Sequence, residues 1–201
     1  MGRLLLLRHG QSTWNATGRW QGWADAPLSP AGEDQARAAA RLLAGAGIAR
    51  VASSDLQRAR HTAELIAADM GLGEVVVDAW LRERDVGDWT GLETADIDER
   101  WPGQLDAWRD GRLERPPNGE SDVDMLARVR AALARLAGRD GTTLVVTHGG
   151  VIHLVVHAFG GRALGVANLA GHWLEEGLVL GEPHGDASGR SGIPDRPTTL
   201  L

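Results

Sequence analysis

Two histidines decide what chemistry this sequence can attempt. His9 sits in Leu7-Arg8-His9-Gly10 and His148 in Val146-Thr147-His148-Gly149-Gly150, each closing a short apolar run and each followed by glycine. Such runs read as buried strands, and in open α/β sheets ligands bind beyond the carboxyl ends of the strands. If the two runs are neighbours, the two imidazoles meet at that edge. Glycine there lets the backbone approach a ligand closely and offers N–H groups to an anion. One strand-end histidine reads most simply as structural; two in the same setting argue for a site.

Arg58 follows Asp55 by three residues, in the first turn of an expected helix, where free N–H groups and a partial positive charge gather. Its planar fork suits phosphate oxygens, although taken alone it reads as a solvated surface arginine. Glu83 lies in Leu81-Arg82-Glu83-Arg84-Asp85, which fits either a run of surface ion pairs or a proton donor at the rim of a pocket. His153 and His157 stand i, i+4 and could share a helical face as a metal pair. The residues between them are apolar and no third ligand is evident, so hydrogen-bonded core or groove histidines are the simpler reading. His61 and His184 read as surface residues. Trp14, Trp20 and Trp23 crowd near His9, either as loop anchors into the core or as a wall of a substrate pocket.

Leu7-Arg8-His9-Gly10-Gln11-Ser12-Thr13-Trp14-Asn15 resembles the signature of the histidine phosphatase superfamily, the phosphoglycerate-mutase-like proteins. In the right order follow Leu28-Ser29-Pro30-Ala31-Gly32, Ser53-Ser54-Asp55-Leu56-Gln57-Arg58-Ala59, Leu81-Arg82-Glu83 with Gly87-Asp88-Trp89-Thr90-Gly91-Leu92, Gly119-Glu120-Ser121, and the second histidine motif around His148. The resemblance runs from about residue 3 to 158. It implies that His9 is a nucleophile that becomes phosphohistidine, that Arg8, Arg58 and His148 bind the phosphoryl oxygens, and that Glu83 is the general acid. It adds Asn15 and Gln21 as pocket donors and Gly149 as a further substrate-binding position. It implies a metal-free phosphatase without a cofactor, acting on a small phosphomonoester. A phosphoglycerate-type mutase and an inactive phosphate-binding module remain as alternatives. The short interval between Glu83 and His148 resembles the phosphatases, and Gln21 with Gly87-Asp88-Trp89 resembles the bacterial sugar-phosphoglycerate phosphatases among others.

The elements that must position these residues can be read from periodicity. Residues 4–7, 48–52, 75–77 and 143–147 read as strands. A helix opens at Ser29-Pro30, with Ser29 as N-cap and Glu33 in its first turn, and buries Leu42 and Leu43. A second is capped by Ser54-Asp55 and carries a stripe through Leu65, Ile66 and Met70. A third, over 121–136, carries Val123, Leu126, Val129, Leu133 and Leu136, and 151–159 reads as a buried helix. Residues 11–28 read as loop, and residues 172–174 and 178–180 as an edge hairpin. Strand–helix alternation predicts a three-layer α/β/α sandwich with a mostly parallel sheet. A lid-like insertion is expected over about 84–120, with a short helix near 93–100. One catalytic domain is expected over 1–184, and the Gly-, Ser- and Pro-rich tail 185–201 is expected to be disordered.

Composition narrows the class further. The chain has 201 residues, a net charge of −6 and no cysteine, which excludes disulfides and thiolate catalysis. Its 21 basic residues are all arginine, so any anion site must use guanidinium groups. No basic or aromatic–basic stretch points to nucleic acid. The apolar run of residues 4–7 is too short for a signal peptide or a membrane span, and Leu6 stands where a myristoylation signal wants Ser or Thr. The expectation is therefore a cytoplasmic protein without membrane or nucleic-acid partners, with a homodimer left open.

Overall fold

The computed structural model describes residues 2–159, 161, 166–175 and 198–199. In chain order the elements are β1 (Arg3–Arg8), α1 (Thr13–Ala16), α2 (Pro30–Leu43), β2 (Ile48–Ser53), α3 (Gln57–Asp69), β3 (Val76–Val77), α4 (Thr94–Arg100), α5 (Gln104–Arg109), α6 (Asp122–Ala137), β4 (Thr142–Thr147), α7 (Gly149–Ala158), β5 (Ala170–Glu175) and β6 (Thr198–Thr199). The strands form one sheet in the order β3-β2-β4-β1-β5-β6. β3, β2, β4 and β1 run parallel, and β5 and β6 join by antiparallel pairing.

β1 and β4 read as unbroken apolar runs because both faces of the sheet are covered. Leu4 and Leu6 face a core shared with Val129, Leu133, Ile152 and Val155 of α6 and α7. Leu5 and Leu7 face the opposite core, with Ala36, Leu43, Ala63 and Ile66 of α2 and α3. That is the three-layer α/β/α arrangement. Each fully buried leucine of β1 contributes roughly 1.5–3 kcal/mol relative to exposure. The lateral order brings the carboxyl ends of β1 and β4 together, with Arg8 opposite Thr147.

Several helix details differ from the expectation. On α2 Ser29 caps the Gly32 N–H as expected, but Leu42 is exposed and the buried face is Gly32, Ala36, Ala39, Ala40 and Leu43. The small alanines let α2 lie close to α3, so the larger Leu42 is left outside. On α6 Val123 is 74% exposed, and Met125 starts the buried stripe instead. On α3 the buried stripe is Ala59, Thr62, Ala63, Ile66 and Ala67, with Leu65 and Met70 only partly covered. The cap of α3 is also not the expected one: Leu56 holds the N-cap position, and the first helical N–H, of Gln57, donates to the Asp25 carboxylate at 2.6 Å. Of the core-or-groove reading of His153 and His157 the core half does not hold: both are exposed on α7, and His153 lines a surface cavity.

The loop 11–28 contains the single turn α1, closed by a capping box between Ser12 and Asn15. The segment 84–120 holds α4 and α5 and a cluster of its own: Val86, Trp89, Ile97 and Leu105 are buried, with Trp20, Trp101 and Trp108 packed against them. Of the expected hairpin, residues 172–174 lie in β5, and 178–180 fall outside the described residues. His184 also falls outside them. Of the tail from 185 only Thr198–Thr199 are described, and they pair with β5 where no order is expected. Among the described residues no helix is long and apolar enough to cross a membrane.

Candidate active site

The backbone N–H of His9 donates to the Thr147 carbonyl at 3.0 Å, so the residue after β1 is tied to the end of β4. The His9 and His148 rings lie 5.2 Å apart between centroids, edge to face. The His9 Nδ1 lies 2.6 Å from the Gly10 carbonyl oxygen. A carbonyl only accepts, so Nδ1 carries the proton and Nε2 keeps its lone pair for attack. The turn that holds this tautomer is built tightly. The Gly10 N–H donates to the Thr62 hydroxyl, which in turn donates to the Arg58 carbonyl on α3. A Cβ on Gly10 would overlap the backbone of Gly32 at the start of α2, so only glycine fits.

Arg58 is fully buried in the first turn of α3. Its two terminal nitrogens donate to the carbonyls of Ala24 and Gly22 at 2.7 and 2.9 Å. Arg8 donates to the Val166 carbonyl at 2.6 Å. The Nε groups of both arginines and both ring nitrogens of His148 are buried without a protein partner among the described residues. Unpaired buried polar groups cost roughly 1–3 kcal/mol each, so a cluster of them beside two cations marks a place for an anion with several acceptor atoms. The electrostatics agree. Burial, with Glu83 opposing, lowers the Arg8 pKa, and burial brings Arg58 down to about 10. Burial, then Arg58 and Arg8, hold His9 well below its ordinary 6.5, against the opposing Gly10 hydrogen bond. Burial, Arg58 and His9 do the same to His148. The His9 imidazole is thus neutral and nucleophilic at neutral pH.

Glu83 closes the site from the segment that follows Leu81. Its carboxylate accepts from the backbone N–H of Arg84 at 2.9 Å and of Gly150 at 3.1 Å. A central cavity of about 380 Å³ is lined by Arg8, His9, Asn15, Gln21, Arg58 and Glu83, with Trp20, Trp108 and Gly150 among its other walls. A wider cavity of about 650 Å³ adjoins it, sharing Arg8, Glu83, Arg84, Trp108 and Gly150 and extending past Leu113, Asp122 and His153. The junction of the two lies at Glu83, so a phosphoryl group beside His9 has room on its far side for an alcohol.

The family model of the histidine phosphatase superfamily, branch 1, matches residues 4–172. The chain belongs to that superfamily. Over 195 residues it is 39% identical to the glucosyl-3-phosphoglycerate phosphatase of Mycobacterium tuberculosis, covering 85% of this chain and 86% of that protein. Over 172 residues it is 41% identical to a 2,3-bisphosphoglycerate-dependent phosphoglycerate mutase of Methylorubrum extorquens, covering 80% and 81%. The structure of the mycobacterial glucosyl-3-phosphoglycerate phosphatase complexed with VO3 superposes with a TM-score of 0.79 at 37% identity, covering 86% of this chain and 90% of that one. This chain is accordingly a phosphatase of the histidine phosphatase type.

Most of the residues singled out in the sequence gather here: His9, Arg8, Arg58, Glu83, Asn15 and Gln21 line the central cavity, with His148 buried against His9. Gly149 lies one position off, in the wall of the adjoining cavity, while Gly150 faces Glu83. Gln21 and Asn15 are held by Ser12, which donates to Gln21 Oε1 at 2.7 Å and caps Asn15. Sequence reasoning missed Asn168, whose Nδ2 donates to the His9 carbonyl at 2.9 Å from beyond α7. It also missed Asp25 and the Trp20–Trp89–Trp108 triad, whose rings meet edge to face at 5.7–5.8 Å. No local pattern marks them, since each acts across a long interval in sequence. Of Trp14, Trp20 and Trp23, Trp20 meets both readings, lining the cavity and packing on the Val86–Trp89 cluster, whereas the exposed Trp23 lies over the Glu83 segment and meets neither.

Proposed function

We propose that this histidine phosphatase hydrolyses a small phosphomonoester of the sugar-phosphate or phosphoglycerate type, with His9 as the nucleophile. The observation that carries the reading is the His9 Nδ1 contact to the Gly10 carbonyl, which frees Nε2 beside Arg8, Arg58 and His148. Nε2 attacks phosphorus, the ester P–O bond breaks, and the departing alkoxide takes a proton from Glu83. Water then attacks the phosphohistidine, passing its proton to the Glu83 carboxylate as the P–N bond breaks. The sum is ester plus water to alcohol plus phosphate. Arg8 and Arg58 neutralise the equatorial oxygens throughout, a task that a divalent cation performs elsewhere. The substrate class is supported by the names of the relatives and by the adjoining cavity, which has room for a leaving group larger than glycerate. The same reading makes the protein cytoplasmic, and sedimentation of the purified chain distinguishes homodimer from monomer.

The test is to quench turnover of radiolabelled substrate after a few milliseconds. An alkali-stable, acid-labile phosphoprotein is expected in the native chain and none in His9→Ala. Label persisting in His9→Ala would move the nucleophile elsewhere. One observation favours a second reading: the relative from Methylorubrum extorquens is called a mutase and aligns over most of its length. The same preparation incubated with 3-phosphoglycerate and 2,3-bisphosphoglycerate decides between them. Release of inorganic phosphate is expected; conversion to 2-phosphoglycerate without phosphate release would make the chain a mutase.

A further inference from the structure

Arg128 lies on α6, outside the walls of both cavities, yet its five N–H donors are all engaged, three on the segment around Glu83 and two on Glu120. Its Nε and Nη2 hold the Glu120 carboxylate bidentately at 2.6 and 2.7 Å. Nη1 donates to the carbonyls of Trp80 at 2.9 Å and Arg82 at 2.8 Å. Nη2 also donates to the carbonyl of Glu83 itself at 2.9 Å. Trp23 Nε1 donates to that same carbonyl at 2.7 Å, and its indole lies 5.1 Å from the Arg82 guanidinium and 6.0 Å from that of Arg128. The Arg128 and Glu120 side chains are only 14% and 12% exposed, so solvent screens this cluster weakly.

A planar fork can meet the carbonyls of residues 80, 82 and 83 together for only one path of the chain. Glu120, locked on the other edge of the fork, removes the remaining freedom of the guanidinium. We propose that Arg128 is a positioning residue of the reaction: it fixes the backbone that carries Glu83 and so sets how far the carboxyl reaches toward the leaving oxygen, without touching substrate. The inference rests on the reading of Glu83 as the proton donor. Lysine keeps the charge of Arg128 but offers one compact ammonium, which cannot span three carbonyls and a carboxylate.

The experiment measures kcat and KM for Glu83→Gln, Arg128→Lys and the double variant on 3-phosphoglycerate, whose alkoxide needs a proton, and on p-nitrophenyl phosphate, whose phenolate hardly does. Glu83→Gln is expected to lose roughly 10²–10⁴-fold in kcat on the alkyl ester and far less on the aryl ester. Arg128→Lys is expected to lose about 10- to 100-fold on the alkyl ester alone, with KM little changed, because a small misplacement of a catalytic group has that effect. The double variant should be no slower on 3-phosphoglycerate than Glu83→Gln, since both act through one proton transfer. Equal losses on the two esters in Glu83→Gln would overturn the acid reading and the proposal with it. A selective Glu83→Gln with an unselective Arg128→Lys, or with additive losses, would overturn the proposal alone. If Arg128→Lys does not fold, Glu120→Gln takes its place: it removes the carboxylate that locks the fork while keeping the Arg128 guanidinium, and a selective loss supports the proposal whereas an equal loss overturns it.

Discussion

The two histidines are held neutral by the same features that make the site bind an anion. Burial and the nearby arginines depress both pKa values well below 6.5. His9 therefore stays neutral when the medium turns mildly acidic, as the proposed nucleophile must. The unfolded chain binds protons near pH 6.5 where the folded one does not, so this stability is fully present above pH 6.5 and is lost as pH falls from there toward the folded-state values. Each histidine contributes a slope of up to about 1.4 kcal/mol per pH unit in that window. His148→Gln removes one titrating group and should lose less Tm than the native chain between pH 7 and pH 5.5, as followed by thermal denaturation. Identical losses would mean that His148 takes up its proton in the folded state. His9, His148, Arg8 and Arg58 were legible in the sequence because each sits at a strand end or helix start with a motif around it, whereas Glu83, in the irregular segment after Leu81, was marked by the family resemblance. Asn168, Asp25 and Arg128 were not, because each serves the site through contacts to residues far away in sequence, which no local pattern marks.

Elements position these groups with little tolerance, and the start of α7 shows it. His148 is its N-cap and Gly149 and Gly150 its first two residues. Alanine in place of a helical glycine ordinarily stabilises by roughly 0.5–1 kcal/mol. At Gly150 a Cβ would overlap the Glu83 carboxylate, whereas at Gly149 its nearest neighbour is Arg8 Nε at 3.4 Å, an ordinary contact. Gly150→Ala should therefore cut kcat on an alkyl phosphate about 10-fold or more. Its denaturation midpoint should move by less than about 1 kcal/mol equivalent. Gly149→Ala should remain near native activity. Comparable damage from both would show that backbone freedom, not the space in front of Glu83, keeps glycine there. At this scale the sequence was a good guide to strands and to the Ser29 cap, whose side chain accepts the Gly32 N–H; Ser121, read as the first helical residue, is instead the N-cap of α6 and accepts the Asp124 N–H. It failed for α3, where the cap comes from Asp25 in a loop 32 residues away. It also failed for α5, whose short turns fold on the tryptophan triad rather than on any helical period.

Over the whole molecule the charge is −6, yet the central cavity gathers Arg8, Arg19, Arg58 and Arg84 against Glu83. Arg8 and Arg58 are buried cations, and Arg8 is itself one cause of the lowered Arg58 pKa. Their mutual repulsion is a fixed cost of the folded state that a bound phosphate offsets directly. On the proposed reading no divalent cation need enter that balance, because two guanidinium groups already line the cavity that would hold the anion. Inorganic phosphate should therefore stabilise the fold by mass action, by about 2.7 kcal/mol at a hundredfold excess over its dissociation constant. For a domain of this size that corresponds to a rise in Tm of roughly 5–10 °C. The measurement is a thermal melt in phosphate against sodium chloride of equal ionic strength, each with and without excess chelator. The shift is expected to be the same in both, and turnover should survive the chelator. A phosphate shift that vanished with chelator and returned with one divalent metal would assign the charge neutralisation to that ion and leave Arg8 and Arg58 as its supports.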